Sequence, residues 1–381
     1  MRAAIATSDY HVMGETFINR HIAHLFDGNT VVIAGRSNGE DPYHKPLFVR
    51  RRRLSPGDMA RLPAVSVWNR ARHGTSRLPF GSARRDLLAF LRSENVDVIL
   101  AEFGTQALAL APLANAADIP IFTYYRGTDA SKALQSKRIQ RAYRLMMPRL
   151  AGVVSVSQFL LDNLARAGVT HPNAHVIPSG VDVRRFRPGE KRSGSCLAVG
   201  RFVEKKAPLT TLQSFVDATR DMPDARLDFI GDGPLLEDAK ALAERLDASD
   251  KVIFHGAQPH DAVRERLETT QFFLQHSVTA ADGNTEGLPT AIQEAMAAGC
   301  ITVSTRHAGI PEAIDEGKTG FLVEERDAEG FTAAIRSAVT APDTHAMATL
   351  ARTVAEERFD NDRLLARLEN MIRETLTPGG V

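Results

Sequence analysis

Short β-type runs alternate with helix-period patterns along most of the chain, and this alternation limits the fold more than any other feature. A run of four to seven largely apolar residues leaves neither face suited to water, so both must be covered. Crossover helices cover them by laying the chain over the sheet and returning it parallel. In residues 1–190 the strand candidates are Arg2–Thr7, Thr30–Ala34, Val96–Ala101, Pro120–Tyr125, Val153–Val156 and His175–Pro178. Helical patterns lie at Thr16–Leu25, Ala83–Ser93, Ser131–Leu150 and Gln158–Ala167. The remainder offers strands at Cys196–Gly200, Arg226–Ile230, Val252–His255, Phe272–Gln275, Ile301–Thr305 and Gly320–Val323. The helices between them are Pro208–Thr219, Pro234–Leu246, Asp261–Thr269, Leu288–Ala298 and Ala328–Val339.

At 381 residues the chain is long for one core, and each half is the size of one doubly wound unit. The segment from Arg187 to Ser195, with Pro, Gly, Ser and charge but no apolar period, reads as the boundary. The expected domains are therefore residues 1–187 and 188–358. The amphipathic tail carries Leu364, Leu365, Leu368, Met371, Ile372 and Leu376 on one stripe, so residues 359–381 are expected to return to the first domain.

Charge separates the two halves. Residues 1–190 hold 26 Lys/Arg against 15 Asp/Glu, and the rest holds 21 against 31. The basic half suits an anionic membrane face or an anionic acceptor, and equally a solvated basic surface. Two segments concentrate this charge: the run Arg50–Arg53 and the basic, partly apolar Ser131–Leu150. No apolar run reaches the ~18 residues of a membrane helix, and the N-terminus reads as a strand and loop rather than a signal peptide. Cys196 and Cys300 lie in apolar strand contexts without ligand spacing, as buried cysteines of a reducing cytoplasm do.

Three strand–loop–helix junctions carry the chemistry. In LAVGRFVEKKAP a strand ends at Gly200, followed by Arg201, Lys205 and Lys206. Loops at the carboxyl ends of parallel strands face the ligand crevice. An Arg fork and a Lys point charge there suit a diphosphate; helix-start surface charge is the plainer reading. In FIGDGPLL the turn Gly231-Asp232-Gly233-Pro234-Leu235 permits close approach of a flat ligand, although any tight turn needs the same glycines. In TEGLPTAIQEAMAAG two carboxylates, Glu286 and Glu294, flank Gly287-Leu288-Pro289. Glu294 lies roughly 9–12 Å along a helix at 1.5 Å per residue. Pro289 suits the first helical turn, with Asn284 or Thr285 as candidate caps. The free N–H groups of that helix start form an anion site. Carboxylates around an anion site suit a ligand with hydroxyls at its ends and phosphate in the middle, as in a nucleotide sugar.

Taken together, these stretches resemble the retaining glycosyltransferases of family GT4. The motifs are VGRFVEKK, FIGDGPL, HGAQPHD, QHSVTAADG, the Glu286/Glu294 pair, STRHAGIPEAI and GKTGFLV. In the first half GETFINRHI, VSVSQFL and VIPSGVDVRRFRP are similar to the same family. The wording is closest in style to bacterial exopolysaccharide and lipopolysaccharide enzymes. The resemblance implies the GT-B fold, two doubly wound Rossmann-like domains facing across a cleft. It also implies hexosyl transfer from a UDP- or GDP-sugar, without metal or cofactor, to a saccharide or lipid-linked saccharide acceptor on the N-terminal domain. By similarity, Arg201 and Lys206 would hold the donor diphosphate, Glu294 its ribose, and Glu286 would lie near the transferred sugar. Gly231, Gly233, Pro234 and Leu235 would border the base, Gly287, Leu288 and Pro289 would offer backbone N–H groups, and Gly14 would approach the phosphate.

Two departures stand out. Tyr125-Arg126-Gly127-Thr128-Asp129 replaces the His-Gly-x-Asp of many relatives, and Gly14 stands where Ser is common. Arg126 cannot serve as a general base. Front-side attack, with the leaving phosphate taking the acceptor's proton, requires none, and Arg126 would then stabilise charge. Glu15, next to Gly14, suits either donor contact or a helix N-terminus. The rivals are a sugar-nucleotide 2-epimerase, a dinucleotide oxidoreductase and a catalytically silent relative acting as a binding partner. The oxidoreductase lacks its first-strand glycine fingerprint. The expected location is the cytoplasm, with peripheral contact at the inner face of an anionic membrane and no nucleic-acid partner.

Overall fold

A computed structural model describes residues 1–12, 14–50, 55–76, 78–342 and 344–377. Arg51–Arg53 of the basic run and the last four residues of the tail lie outside the described residues. The chain forms two compact units, Met1–Ile177 with Leu365–Val381, and Pro178–Leu364.

The first unit contains β1 (Ala3–Asp9), α1 (Thr16–His24), β2 (Thr30–Arg36), β3 (Leu47–Val49), α2 (Pro56–His73) and α3 (Gly81–Ser93). It continues with β4 (Val98–Glu102), α4 (Gly104–Ala116), β5 (Ile121–Tyr125), α5 (Lys137–Met146), β6 (Gly152–Ser155), α6 (Gln158–Arg166) and β7 (Ala174–Val176). Its sheet runs β3-β2-β1-β4-β5-β6-β7, with every pairing parallel. Residues Ala3–Ala6 of β1 and Val98–Ala101 of β4 are fully buried, as strands covered on both faces must be.

The second unit contains β8 (Arg192–Val199), α7 (Pro208–Ala218), β9 (Arg226–Ile230), α8 (Leu236–Arg245), β10 (Val252–Phe254), α9 (His260–Thr269) and β11 (Thr270–Gln275). Then follow α10 (Thr290–Ala297), β12 (Ile301–Thr305), β13 (Gly320–Val323), α11 (Ala328–Thr340), α12 (His345–Arg358) and α13 (Asn361–Leu376), whose last turns belong to the first unit. The parallel sheet runs β10-β9-β8-β11-β12-β13. Phe215, Phe229, Phe272, Leu274, Val303 and Phe331 fill its core.

The strand and helix expectations held best where the period was clean. Three differences have physical causes. Helix α4 was not foreseen because it is buried nearly all round and so shows no amphipathic period. Ser131–Leu150 is not one helix: 3₁₀ turns at Lys132–Gln135 and Met147–Arg149 flank α5, which Ser136 caps through Ile139 N–H. Pro148 closes it. Helix α10 starts two residues later than expected, with Pro289 as its N-cap residue rather than inside the first turn.

The unit boundary falls at Ile177/Pro178, so Pro178–Arg187 belongs with the second unit. Gly180 N–H donates to Gln293 Oε1 at 2.9 Å, and Arg352 donates to the carbonyls of Val183, Phe186 and Ala297. The last four residues of the expected linker, Arg192–Ser195, already belong to β8. In the tail, Leu364, Leu368, Met371 and Ile372 are buried, and Glu369 accepts from Phe26 N–H at 2.6 Å within the first unit.

Gly231 shows how tightly the loops at the second sheet's carboxyl edge are packed. Its φ is +146°, and a Cβ there would sit 1.9 Å from the carbonyl oxygen of Gly200. Gly231→Ala is expected to destabilise the second unit by about 2 kcal/mol or more, through strain and a backbone clash. Urea denaturation checks it; an unchanged midpoint would show that the loop yields freely.

Candidate active site

In each sheet the strand order reverses at one place, between β1 and β4 in the first unit and between β8 and β11 in the second. Crevices outside the carboxyl ends of strands at such switch points are where ligands bind. The second unit places its charged residues there. The 3₁₀ turn Glu204–Lys206 follows β8, and Ala207, in the left-handed region at φ 39°, redirects the chain into α7. Lys206 therefore precedes the helix rather than beginning it. Its Nζ lies 3.2 Å from Glu286 Oε1 and donates to Gln275 Oε1, at the end of β11, at 3.2 Å. Lys205 Nζ donates to Glu286 Oε2 at 3.3 Å and to the Thr285 carbonyl at 3.2 Å.

Glu286 is thus a buried carboxylate between two ammonium groups. Burial alone would raise its pKa, but Lys206 and Lys205 outweigh it and hold the group at about 2. It stays ionised and has no proton to give at neutral pH. Burial and the second ammonium in turn depress Lys206, against the pull of Glu286.

The backbone around Glu286 is fixed from behind. Its N–H donates to His307 Nε2 at 3.0 Å, and His307 Nδ1 lies 2.6 Å from Glu325 Oε1. Because Nε2 accepts, the imidazole is neutral with its proton on Nδ1, directed at Glu325. Burial, which lowers the His307 pKa, favours the same form. Glu325 also accepts from Thr279 N–H at 2.7 Å. Gly309 N–H donates to the Gly287 carbonyl at 2.9 Å, and Leu288 is buried. The stretch Glu286–Pro289 is therefore held rigidly ahead of α10, whose N-terminus receives no side-chain cap. Free first-turn N–H groups at a helix start favour an anion.

Glu294 is on α10, buried, with His260 Nε2 at 2.9 Å from its Oε1. The hydrogen bond to Glu294 raises the His260 pKa. Arg201 is exposed beyond Gly200. The Gly231 and Gly233 turn is accounted for by packing: Phe202 N–H donates to the Asp232 carbonyl at 2.9 Å, and Leu235 N–H to the Phe202 carbonyl at 3.0 Å. Pro234 is exposed and Leu235 half-buried, beside this turn.

The first unit holds a second cluster at its own switch point. Glu102, the last residue of β4, is fully buried. His21 Nδ1 lies 2.6 Å from one of its oxygens; Arg126 reaches the other from Nε at 2.9 Å and Nη2 at 2.8 Å. The guanidinium stacks 3.7 Å from the Tyr124 ring centroid and 4.1 Å from that of Phe17. Burial would raise Glu102, but Arg126 and His21 hold its pKa below the ordinary value. Arg126 is thus engaged within its unit as the partner of Glu102. Asp129 accepts from Gly104 N–H at 2.9 Å and from Arg126 and Gly127 N–H at 3.1 Å each, tying the loops after β4 and β5 together. Gly14 is exposed, and a Cβ there would meet nothing within 4 Å. Glu15 is shifted upward by burial and by the Glu102 charge.

The structure joins Lys205, Lys206 and Glu286 directly. Sequence reasoning missed His307, Glu325, His260, Glu102 and His21. The signal for Glu102 was present as a lone acid closing an apolar strand; the others have partners 18 to 81 residues away. Among the described residues, no group of three or more His, Cys, Asp or Glu is placed to hold a metal ion, and no helix is long and apolar enough to cross a membrane.

Two family models match in tandem: "Glycosyltransferase Family 4" over residues 22–185 and "Glycosyl transferases group 1" over residues 184–352. The glycosyltransferase WcaL of Escherichia coli strain K12, assigned to colanic acid biosynthesis, is 30% identical over 276 residues, covering 70% of this chain and 66% of WcaL. The amylovoran biosynthesis glycosyltransferase AmsK of Erwinia amylovora is 27% identical over 243 residues, covering 62% and 60%. The chain thus spans somewhat less than two thirds of the length of both relatives. Anabaena Alr3699/HepE, solved in complex with UDP, superposes with a TM-score of 0.79 at 16% identity, over 98% of this chain and 100% of that one. At that identity the likeness is one of fold, and the fold is GT-B.

Proposed function

This chain belongs to glycosyltransferase family 4, and we propose that it moves a hexosyl unit from a UDP- or GDP-sugar to a saccharide or lipid-linked saccharide, retaining the anomeric configuration and using no metal. The observation that carries this reading is the pair of ammonium groups, Lys205 and Lys206, at the carboxyl edge of β8 and β11 beside an uncapped helix start. A diphosphate is the anion that two lysines, Arg201 and first-turn N–H groups would neutralise together.

In this reading the bond from the anomeric carbon to the diphosphate oxygen breaks on the face that the acceptor hydroxyl attacks. The acceptor oxygen bonds the anomeric carbon, and its proton passes to the departing phosphate oxygen. The chain's own residues supply charge and position rather than a base. Lys206 and Arg201 stabilise the growing negative charge on the leaving group. Glu286, ionised throughout, aligns the two lysines and accepts hydrogen bonds from sugar hydroxyls. Glu294, oriented by His260, accepts from the ribose hydroxyls. Arg126 positions the β4 and β5 loops through Glu102.

Thermal-shift measurements with UDP-, GDP- and ADP-sugars test the donor class, since a ligand that binds only the native state raises the melting temperature. A rise is expected with a UDP- or GDP-sugar; no rise with any of them would sink the reading. NMR of the product should show the donor's anomeric configuration, and chelator should leave the rate unchanged. An inverted product, or loss of turnover restored by a divalent cation, would overturn those parts.

A further inference from the structure

Arg50 follows β3 at the carboxyl edge of the first sheet, where its N–H donates to the Ala34 carbonyl of β2 at 2.9 Å. Its side chain is half-buried and reaches the switch point between β1 and β4. There Nη2 donates to the Thr7 carbonyl of β1 at 3.5 Å and to Oε1 of Gln106, in the first turn of α4. Gln106 Nε2 donates in turn to Ser8 Oγ at 2.6 Å. Gly35 lets the guanidinium lie this close to the sheet. A Cβ there would sit 3.2 Å from Arg50 Nη2 and 2.7 Å from the Ser8 carbonyl oxygen.

These partners are all neutral. Among the described residues no carboxylate pairs with Arg50, and its Nε is buried without a partner. Burial alone acts on its pKa, lowering it. The acids of the neighbouring loops are already engaged: Asp9 with Arg36 at 2.6 Å, Asp41 with Tyr10 at 2.5 Å and Glu40 with His11 at 3.2 Å. Arg126, at the same switch point, has Glu102 for its counter-charge. A guanidinium drawn from water and given only neutral acceptors lacks the charge that would offset its desolvation. Ser8, half-buried beside it, adds a second donor. Its oxygen accepts from Gln106, so its own proton remains to be donated.

We propose that Arg50 and the Ser8 hydroxyl bind a carboxylate of the acceptor, so that the acceptor is an acidic saccharide bearing a uronic acid or a similar carboxylate sugar. The word acceptor rests on the transfer reading; the carboxylate site rests on these residues alone. Crevices at a switch point receive ligands. One guanidinium balances one negative charge, and its planar fork matches a carboxylate, whereas a phosphate dianion calls for more than one cation. The donor diphosphate has its own cations, Lys205 and Lys206, in the second unit. Arg50 is thus a specificity residue, and a neutral sugar in its place would leave the guanidinium without a counter-charge.

The full chain is titrated with methyl β-D-glucuronide and with methyl β-D-glucoside, which differ only in a carboxylate against a hydroxymethyl group, and ligand-observed NMR reads the affinities. The chain should prefer the glucuronide about tenfold or more, as one charge-assisted contact provides. Arg50→Gln should lose the preference and Arg50→Lys should keep part of it. The rise in melting temperature with a UDP- or GDP-sugar should be the same in Arg50→Gln as in the unaltered chain. Three results would overturn the proposal. They are no glucuronide preference in the unaltered chain, a preference that survives in Arg50→Gln, and a sugar-nucleotide rise that Arg50→Gln abolishes, which would assign Arg50 to the donor phosphate. The first needs no variant. Glycoside binding is measured without sugar nucleotide, so failure of this proposal (no glucuronide preference) and failure of the transfer reading (no thermal shift with any sugar nucleotide) are separate results.

Discussion

Lys206→Ala should lower the turnover of sugar transfer by about 10²–10³-fold, the loss typical of removing one preorganised charge from a developing anion. Lys206 donates to Gln275 and pairs with Glu286, at the edge between β8 and β11. Its removal leaves Glu286 with Lys205, so the carboxylate keeps a partner and the fold should persist. The loss should therefore appear in turnover with the melting temperature of the free protein nearly unchanged. Glu286→Ala attacks the same site from the other side, by releasing both ammonium groups from alignment, and should lower turnover at least as far. Steady-state kinetics on the two variants decide the matter: unchanged turnover in both would remove the transfer reading. Since Glu286 is held at about 2, no limb of the pH–rate profile near neutrality belongs to it.

Glu102→Ala is the larger expected effect on stability, about 3–5 kcal/mol. Removing the carboxylate takes from the Arg126 guanidinium, whose side chain is 4% exposed, the counter-charge it pairs with, and removes the partner of buried His21. Stacking against Tyr124 and Phe17 recovers only part of that loss. Chemical denaturation measures it. The double replacement Glu102→Leu/Arg126→Met should be far less damaging than Glu102→Ala, because the buried charge leaves together with its counter-charge. A cost below about 1 kcal/mol for Glu102→Ala would mean that water reaches the pair, and the assignment of Arg126 as a positioning residue would fail.

This bears on the departure at Arg126. The sequence shows an arginine where many relatives have histidine, at the end of a strand where ligands bind, and a role in charge stabilisation follows naturally. The structure gives that guanidinium an internal partner. Asp129 of the same motif is likewise engaged, with three backbone N–H groups. The glycines of the Gly231 turn, which suggested approach by a flat base, are required by the carbonyls of Gly200 and Phe202.

The sequence alone determined what depends on neighbours along the chain. Period and β-branched content marked most of the strands and the amphipathic helices, and strand–helix alternation settled parallel sheets, because those patterns are local records of which faces are covered. It failed where the record is blank or misleading, as in α4, which is apolar on every side, and α2, whose apolar residues face outward. Family resemblance put Lys206 and Glu286, eighty positions apart, at one donor site, but no local pattern brings them into contact; the tertiary structure pairs them directly. Strand order places β11 beside β8, and that order brings the loops after both strands to the same edge. Strand order is decided by long-range packing of whole crossover units, which no local pattern encodes.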